Sequence, residues 1–229
     1  MKATTMSGLG LAALALGAAM PAAAQTETHT GLEAGDVLLR ARTILVAPNE
    51  KSGSILPAFP GEKASVDNSV MPEVDLTYMA TDHIGFELIA ATTKHHADGV
   101  SGTTGSIGRL TSTWVLPPTL TAQYHFAPKG KIRPYVGAGI NYTLFWNEKA
   151  SAGLEAAVGP TRVHMDDSFG WAAQAGIDID LTRKVFLNLD VKYIDIDTTV
   201  QLHTSAARTQ KLDLGLDPLV FGVGLGIRL

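Results

Sequence analysis

The chain contains no cysteine, so no disulfide framework holds it together. It also lacks an apolar run long enough to cross a bilayer as a helix, which takes about 20 residues. Residues 8–20, rich in Leu, Ala and Gly, come nearest and are too short. Charge is sparse: 17% of residues carry one, and the net is −4. With no basic patch, nucleic acid is not an expected partner. The first residues instead have the layout of a secretory signal: Lys2, the apolar run, then Pro21-Ala-Ala-Ala24. The reading is a cleaved signal segment, 1–24, ahead of one domain, 25–229.

The other end is more informative. Residues 218–229 read PLVFGVGLGIRL. Leu219, Phe221, Val223, Leu225, Ile227 and Leu229 share one face of a period-2 strand. Val220, three glycines and Arg228 share the other. In water such a strand would invite edge-to-edge aggregation. Facing lipid on its bulky side and a lumen on its small side, it needs no cover.

Seven more segments repeat the pattern: 36–46, 71–80, 84–93, 113–126, 132–146, 168–181 and 185–196. Each is near the ten residues that a tilted membrane strand requires. Short connections at 81–83, 127–131 and 182–184 alternate with long ones at 47–70, 94–112, 147–167 and 197–211. The expected fold is all-β: an eight-stranded antiparallel transmembrane barrel in an outer membrane, with lipid around it and short turns on the periplasmic side. Outward aromatics form two bands. Tyr78, Phe86, Tyr124 and Phe126 lie near the short turns; Tyr142, Trp146, Phe169, Trp171 and Tyr193 lie near the long loops. A soluble barrel would reverse the faces, with charges outside.

The inward parity changes character along the barrel. Near the short turns it is polar: Arg40, Arg42, Asp75, Glu87, Gln123, Arg133, Gln174, Asp178, Asp190 and Arg228. Charges of both signs in so narrow a lumen pair and fill it, forming a plug. Near the long loops it is apolar: Ile44, Val46, Met71, Ile89, Phe145, Ile194, Ile196, Leu214 and Leu216, joined by Leu56 from a loop. An apolar mouth over a polar plug is a cup for a small hydrophobic ligand. A molecule in the cup has to leave sideways. Pro117-Pro118 interrupts the fourth segment, and proline donates nothing to a ladder, so a lateral opening is expected there. The alternative is a structural or surface-interaction protein with an inert lumen.

Other motifs carry little. His95-His96 and His164-x-Asp166-Asp167 contain metal-ligand types but fall in long connections, and no metal site is expected. Ser168 stands too near His164 and Asp166 in sequence to make a catalytic set. Gly222-x-Gly224-x-Gly226 has no helix after it to hold a phosphate. No cofactor and no catalytic residue are expected.

Six stretches together resemble the outer membrane protein W (OmpW) family: TYMATDHIGFELIAAT (77–92), LPPTLTAQYHF (116–126), RPYVGAGINYT (133–143), DSFGWAAQAG (167–176), YIDIDTT (193–199) and LDPLVF (216–221). The resemblance covers nearly all of 25–229. It implies an eight-stranded barrel, closed toward the periplasm, passing small hydrophobic compounds, and a barrel-assembly machinery as partner during biogenesis. Members commonly end in an aromatic residue, whereas Leu229 stands here.

Overall fold

The computed structural model describes residues 31–205 and 209–229, so the expected signal segment lies outside it. The described elements are, in order, β1 (Val37–Ala47), β2 (Lys51–Ser52), β3 (Ala64–Val66), β4 (Ser69–Met79), β5 (Ile84–Ala91), β6 (Thr93–Gly99), α1 (Gly102–Ile107), β7 (Arg109–Leu116) and β8 (Thr119–His125). Then come β9 (Ile132–Ala150), α2 (Ala152–Val158), β10 (Thr161–Met165), β11 (Ser168–Asp180), β12 (Val185–Ile194), β13 (Asp197–Thr204), β14 (Gln210–Gly215) and β15 (Leu219–Arg228).

Eight strands close on themselves. β1 pairs with β4, β4 with β5, β5 with β8, and β8 with β9. β9 then pairs with β11, β11 with β12, and β12 with β15, which returns to β1. Every pair is antiparallel, and closure of the ring removes the two outer edges that an open sheet would have. Among the described residues no helix is long and apolar enough to span a membrane, and the strands do the crossing.

The faces follow the expected parity. Phe86, Leu88, Leu120, Ile140, Trp171, Phe221 and Leu225 are exposed on the outer wall, each close to half of full accessibility. Their neighbours Glu87, Thr121, Asn141 and Gly222 are buried inside. The outward aromatics meet in their bands, Trp171 tilted against Tyr193 at 5.0 Å between ring centres and Tyr124 edge-on to Phe126 at 5.2 Å.

The long connections are not open loops. β9 runs for 19 residues. At about 3.4 Å per residue it outreaches the ~30 Å hydrocarbon core even when strongly tilted. β6 and β7 climb beside it, capped by β3. On the other side β10, β13, β14 and β2 form a separate four-stranded sheet. Its inward residues Val163, Met165, Val200, Leu202, Leu212 and Leu214 are buried with Ile44, Phe145 and Ile194 in one apolar cluster. Residues expected as loop therefore build a wall above the membrane, because their own alternation continues the buried face upward.

Candidate functional site

The lumen has three layers. The lowest, toward the short turns, is apolar: Leu32, Leu38, Met79 and Phe186 pack together, almost fully buried. Parity alone does not reveal this layer. Phe186 has inward parity, but it sits among outward-looking aliphatics, and Leu32 precedes the first strand. Two glycines make room. A Cβ on Gly226 would stand 2.2 Å from the Phe186 ring, and one on Gly176 would stand 2.4 Å from the Tyr135 ring.

The middle layer is the expected plug. Arg40 Nη1 donates to Asp75 Oδ1 at 3.0 Å and Thr77 Oγ1 at 2.7 Å, and Nη2 donates to Asp178 Oδ2 at 3.1 Å. Its guanidinium lies 5.5 Å from the ring centres of both Tyr135 and Phe186. Arg42 reaches Asp75 Oδ2 at 2.6 Å and Glu73 Oε1 at 2.8 Å. Gln174 Nε2 donates to Glu87 Oε2 at 2.7 Å. Tyr135 donates its hydroxyl proton to Asp190 Oδ2 at 2.9 Å. Gln123 Oε1 pairs with a His125 ring nitrogen at 3.1 Å. Burial of so many charges is tolerable only because each meets several partners.

Two plug residues behave otherwise than expected. Among the described residues Arg228 pairs with no carboxylate; it donates to the carbonyl oxygens of Gly31 and Arg183 and ties the bottom of the barrel to its turns. Arg133 stands apart from the network, bound to Asp180 and to the Gly130 carbonyl.

The upper layer is the cup. A cavity of about 60 Å³ is lined by Ile44, Val46, Ile89, Phe145, Ile194, Ile196, Leu214 and Leu216, eight of the ten residues expected there. The other two do not line it. Leu56 is 50% exposed, bridged to Lys211, and its neighbour Ile55 takes the buried place. Met71 is only half-buried, because β4 loses its partner on one flank above the Glu73–Ala91 pair. Pro72, beside it, has no N–H to extend that ladder. The cup also uses Thr93, His95, Thr113, Val115, Met165 and Val220, which are not among the residues expected there. Most of these lie where the proline break or an assumed loop hid the parity.

Glu73 and Lys192 form the floor of the cup. Lys192 Nζ donates to Glu73 Oε1 at 3.0 Å and meets Asp190 Oδ1 at 2.6 Å. At the mouth, His95 contacts the Asp67 carbonyl at 2.9 Å and Thr93 Oγ1 at 3.1 Å. The Asp67 carboxylate accepts from the His96 backbone at 2.7 Å and meets its ring at 2.8 Å.

One wall is interrupted. β5 pairs with β8 up to Ile89 opposite Thr119, and β6 pairs with β7 from Thr93 opposite Val115. Between them no ladder joins residues 90–92 to 116–118. On the far side Tyr142 N still donates to the Pro118 carbonyl at 3.1 Å. The gap therefore lies on the β5–β6 flank, and Val115, Pro117 and Thr119 line the cavity there.

A closed eight-stranded barrel with a lipid-facing apolar wall, a polar plug and an apolar mouth defines an outer-membrane β-barrel. Comparison with known proteins narrows the class. The profile of the OmpW family matches residues 33–229, and the chain belongs to that family. It is 39% identical to outer membrane protein W of Escherichia coli (strain K12), over the full length of both chains. The crystal structure of the outer membrane protein OprG from Pseudomonas aeruginosa superposes with a TM-score of 0.81 at 32% identity, covering 87% of this chain and 98% of that one. A more distant relative, 28% identical over 73% of this chain and 75% of its own, is the dibenzothiophene metabolism operon protein PahQ of Pseudomonas aeruginosa.

Proposed function

We propose that the protein gives small hydrophobic molecules passive passage into the outer membrane. They enter the cup from outside and leave sideways between β5–β6 and β7–β8. The observation that carries this reading is the position of the ladder gap. It opens on the wall of the cup, directly above a plug that blocks the way down. Burying a ligand in the cup gains about 25 cal/mol per Å² of apolar surface. The cavity of about 60 Å³ holds only a few waters, so side chains must swing aside for a guest. The PahQ relative supports the ligand class, since dibenzothiophene is an apolar molecule. Outer-membrane lipid is the receiving phase, and the barrel-assembly machinery is the partner proposed for insertion.

Phe145→Asp and Ile194→Asp test the reading. Each puts a charge in the cup, away from the plug. Uptake of an apolar fluorophore by cells should fall several-fold while the barrel still shifts on a heated gel. Unchanged uptake in both variants excludes the lumen route. Uptake that responds only to exchange of residues 47–70 and 147–167 favours a surface-interaction role instead.

A further inference from the structure

Both ion-pair partners of Glu73 meet the same oxygen. Arg42 Nε lies 2.8 Å and Lys192 Nζ 3.0 Å from Oε1. Oε2 takes no hydrogen bond from any described residue, yet it is not sealed from the lumen. Glu73 itself is only 4% exposed and lies on the cavity floor. An open carboxylate oxygen at the base of an apolar cup is a costly feature unless something satisfies it.

The charges behind it decide what fits. Arg40, Arg42 and Lys192 share one network with Glu73, Asp75, Glu87, Asp178 and Asp190: three cations against five carboxylates. Arg42 is divided among four of those acids. Lys192, the cation nearest the cup, already holds two, at 3.0 and 2.6 Å. A second anion at this floor meets an acid excess, and no cation of that network among the described residues is free to answer it. In a low-dielectric lumen that repulsion is little screened.

We infer that Glu73 is a head-group anchor, and that the cup selects apolar molecules carrying a terminal hydrogen-bond donor. A primary ammonium fits best, a hydroxyl next, and a carboxylate is turned away. The tail lies among Ile44, Ile194 and Phe145, and the donor sits on Glu73 Oε2. This inference rests on the cup being a ligand site.

The test uses the full barrel in phosphatidylcholine nanodiscs with methyl-labelled isoleucine and leucine. Hexylammonium, hexan-1-ol and hexanoate share a tail and differ only in the head. Shifts at the Ile44 and Ile194 methyls report the cup; Leu88 and Leu120, on the outer wall, report partition into lipid. Hexylammonium should half-saturate the cup at a concentration about tenfold below hexanoate, a difference of about 1.4 kcal/mol, with hexanol between. In Glu73→Gln the ammonium preference should collapse while hexanol still shifts both methyls. Hexanoate binding as tightly as hexylammonium, or a preference that survives Glu73→Gln, overturns the anchor and leaves the conduit standing. If none of the three moves the cup methyls, the conduit falls and the anchor with it. Should Glu73→Gln fail to insert, the ranking in the unaltered protein decides alone.

Discussion

Lys192 Nζ stands 3.0 Å from Glu73 Oε1, joining strands β12 and β4 across a lumen that β15 and β1 wall off behind them. This pair is the boundary between plug and cup. Removing Lys192 strips Glu73 of one of its two cations and Asp190 of its nearer one, a buried imbalance that costs up to about 3–5 kcal/mol. Lys192→Met should lower barrel stability by that order in urea titrations from lipid vesicles. Glu73→Gln combined with Lys192→Met should recover part of the loss, since both charges are then gone. A single variant within about 1 kcal/mol of the parent would mean that the pair is dispensable to the barrel.

Gly226 exists to admit Phe186. With a Cβ 2.2 Å from the ring, Gly226→Ala should cost about 1–3 kcal/mol by overpacking. Phe186→Leu in the same chain should return most of that, read as a coupling energy in a double-mutant cycle. Additive losses would show that the two do not compete for space.

The absence of cysteine allows a clean cross-link at the gap. The registers on either side, Ile89 with Thr119 and Thr93 with Val115, place Ala91 opposite Pro117. In the oxidised Ala91→Cys/Pro117→Cys protein, uptake of an apolar probe should drop, and reductant should restore it. Full uptake with the bridge closed would rule out exit on this flank.

The mouth should respond to acid. His95 lies just beyond the lipid-facing band, which ends at the exposed Lys94 opposite Trp114. Burial holds the His95 imidazole below its ordinary value of 6.5, against the pull of Asp67. The fold thus keeps it neutral while the unfolded chain takes up a proton. Its contribution is whole above pH 6.5 and is lost progressively as pH falls below that. The Asp67 carboxyl is desolvated too, yet hydrogen bonds from His96 carry it below the usual carboxylate range, so its contribution goes only at lower pH. Amide protection factors in β3 and β6 should drop between pH 7.5 and 5.5, and His95→Gln should remove most of that change. Equal protection at both values in the parent would contradict it.

Much of the site was legible beforehand. Strand parity puts eight of the expected residues on the cavity wall and the carboxylates of Asp75, Glu87, Asp178 and Asp190 inside the barrel, because a period of two leaves each residue only one face. It failed in identifiable places. Of the loop residues, Leu56 faces out and its neighbour Ile55 faces in, where no long strand sets the parity. Met71 shares the inward face of Ile44, its partner on β1, yet above Glu73 no strand flanks β4 on the β5 side to cover it. Thr113 and Val115 were lost behind Pro117-Pro118, and Met165 within an assumed loop.

Alternation by itself determined the membrane-facing wall, the strand count and the polarity of each lumen level, since lipid admits only closed ladders with apolar outsides. Tertiary structure alone decided which charges meet. Glu73 and Lys192 are 119 positions apart, and only the shear of the closed barrel brings them to one height. It also decided that Arg228 binds carbonyls rather than acids, and on which flank of Pro117-Pro118 the ladder parts. Those outcomes depend on the register between strands, a property of pairs that no single strand carries.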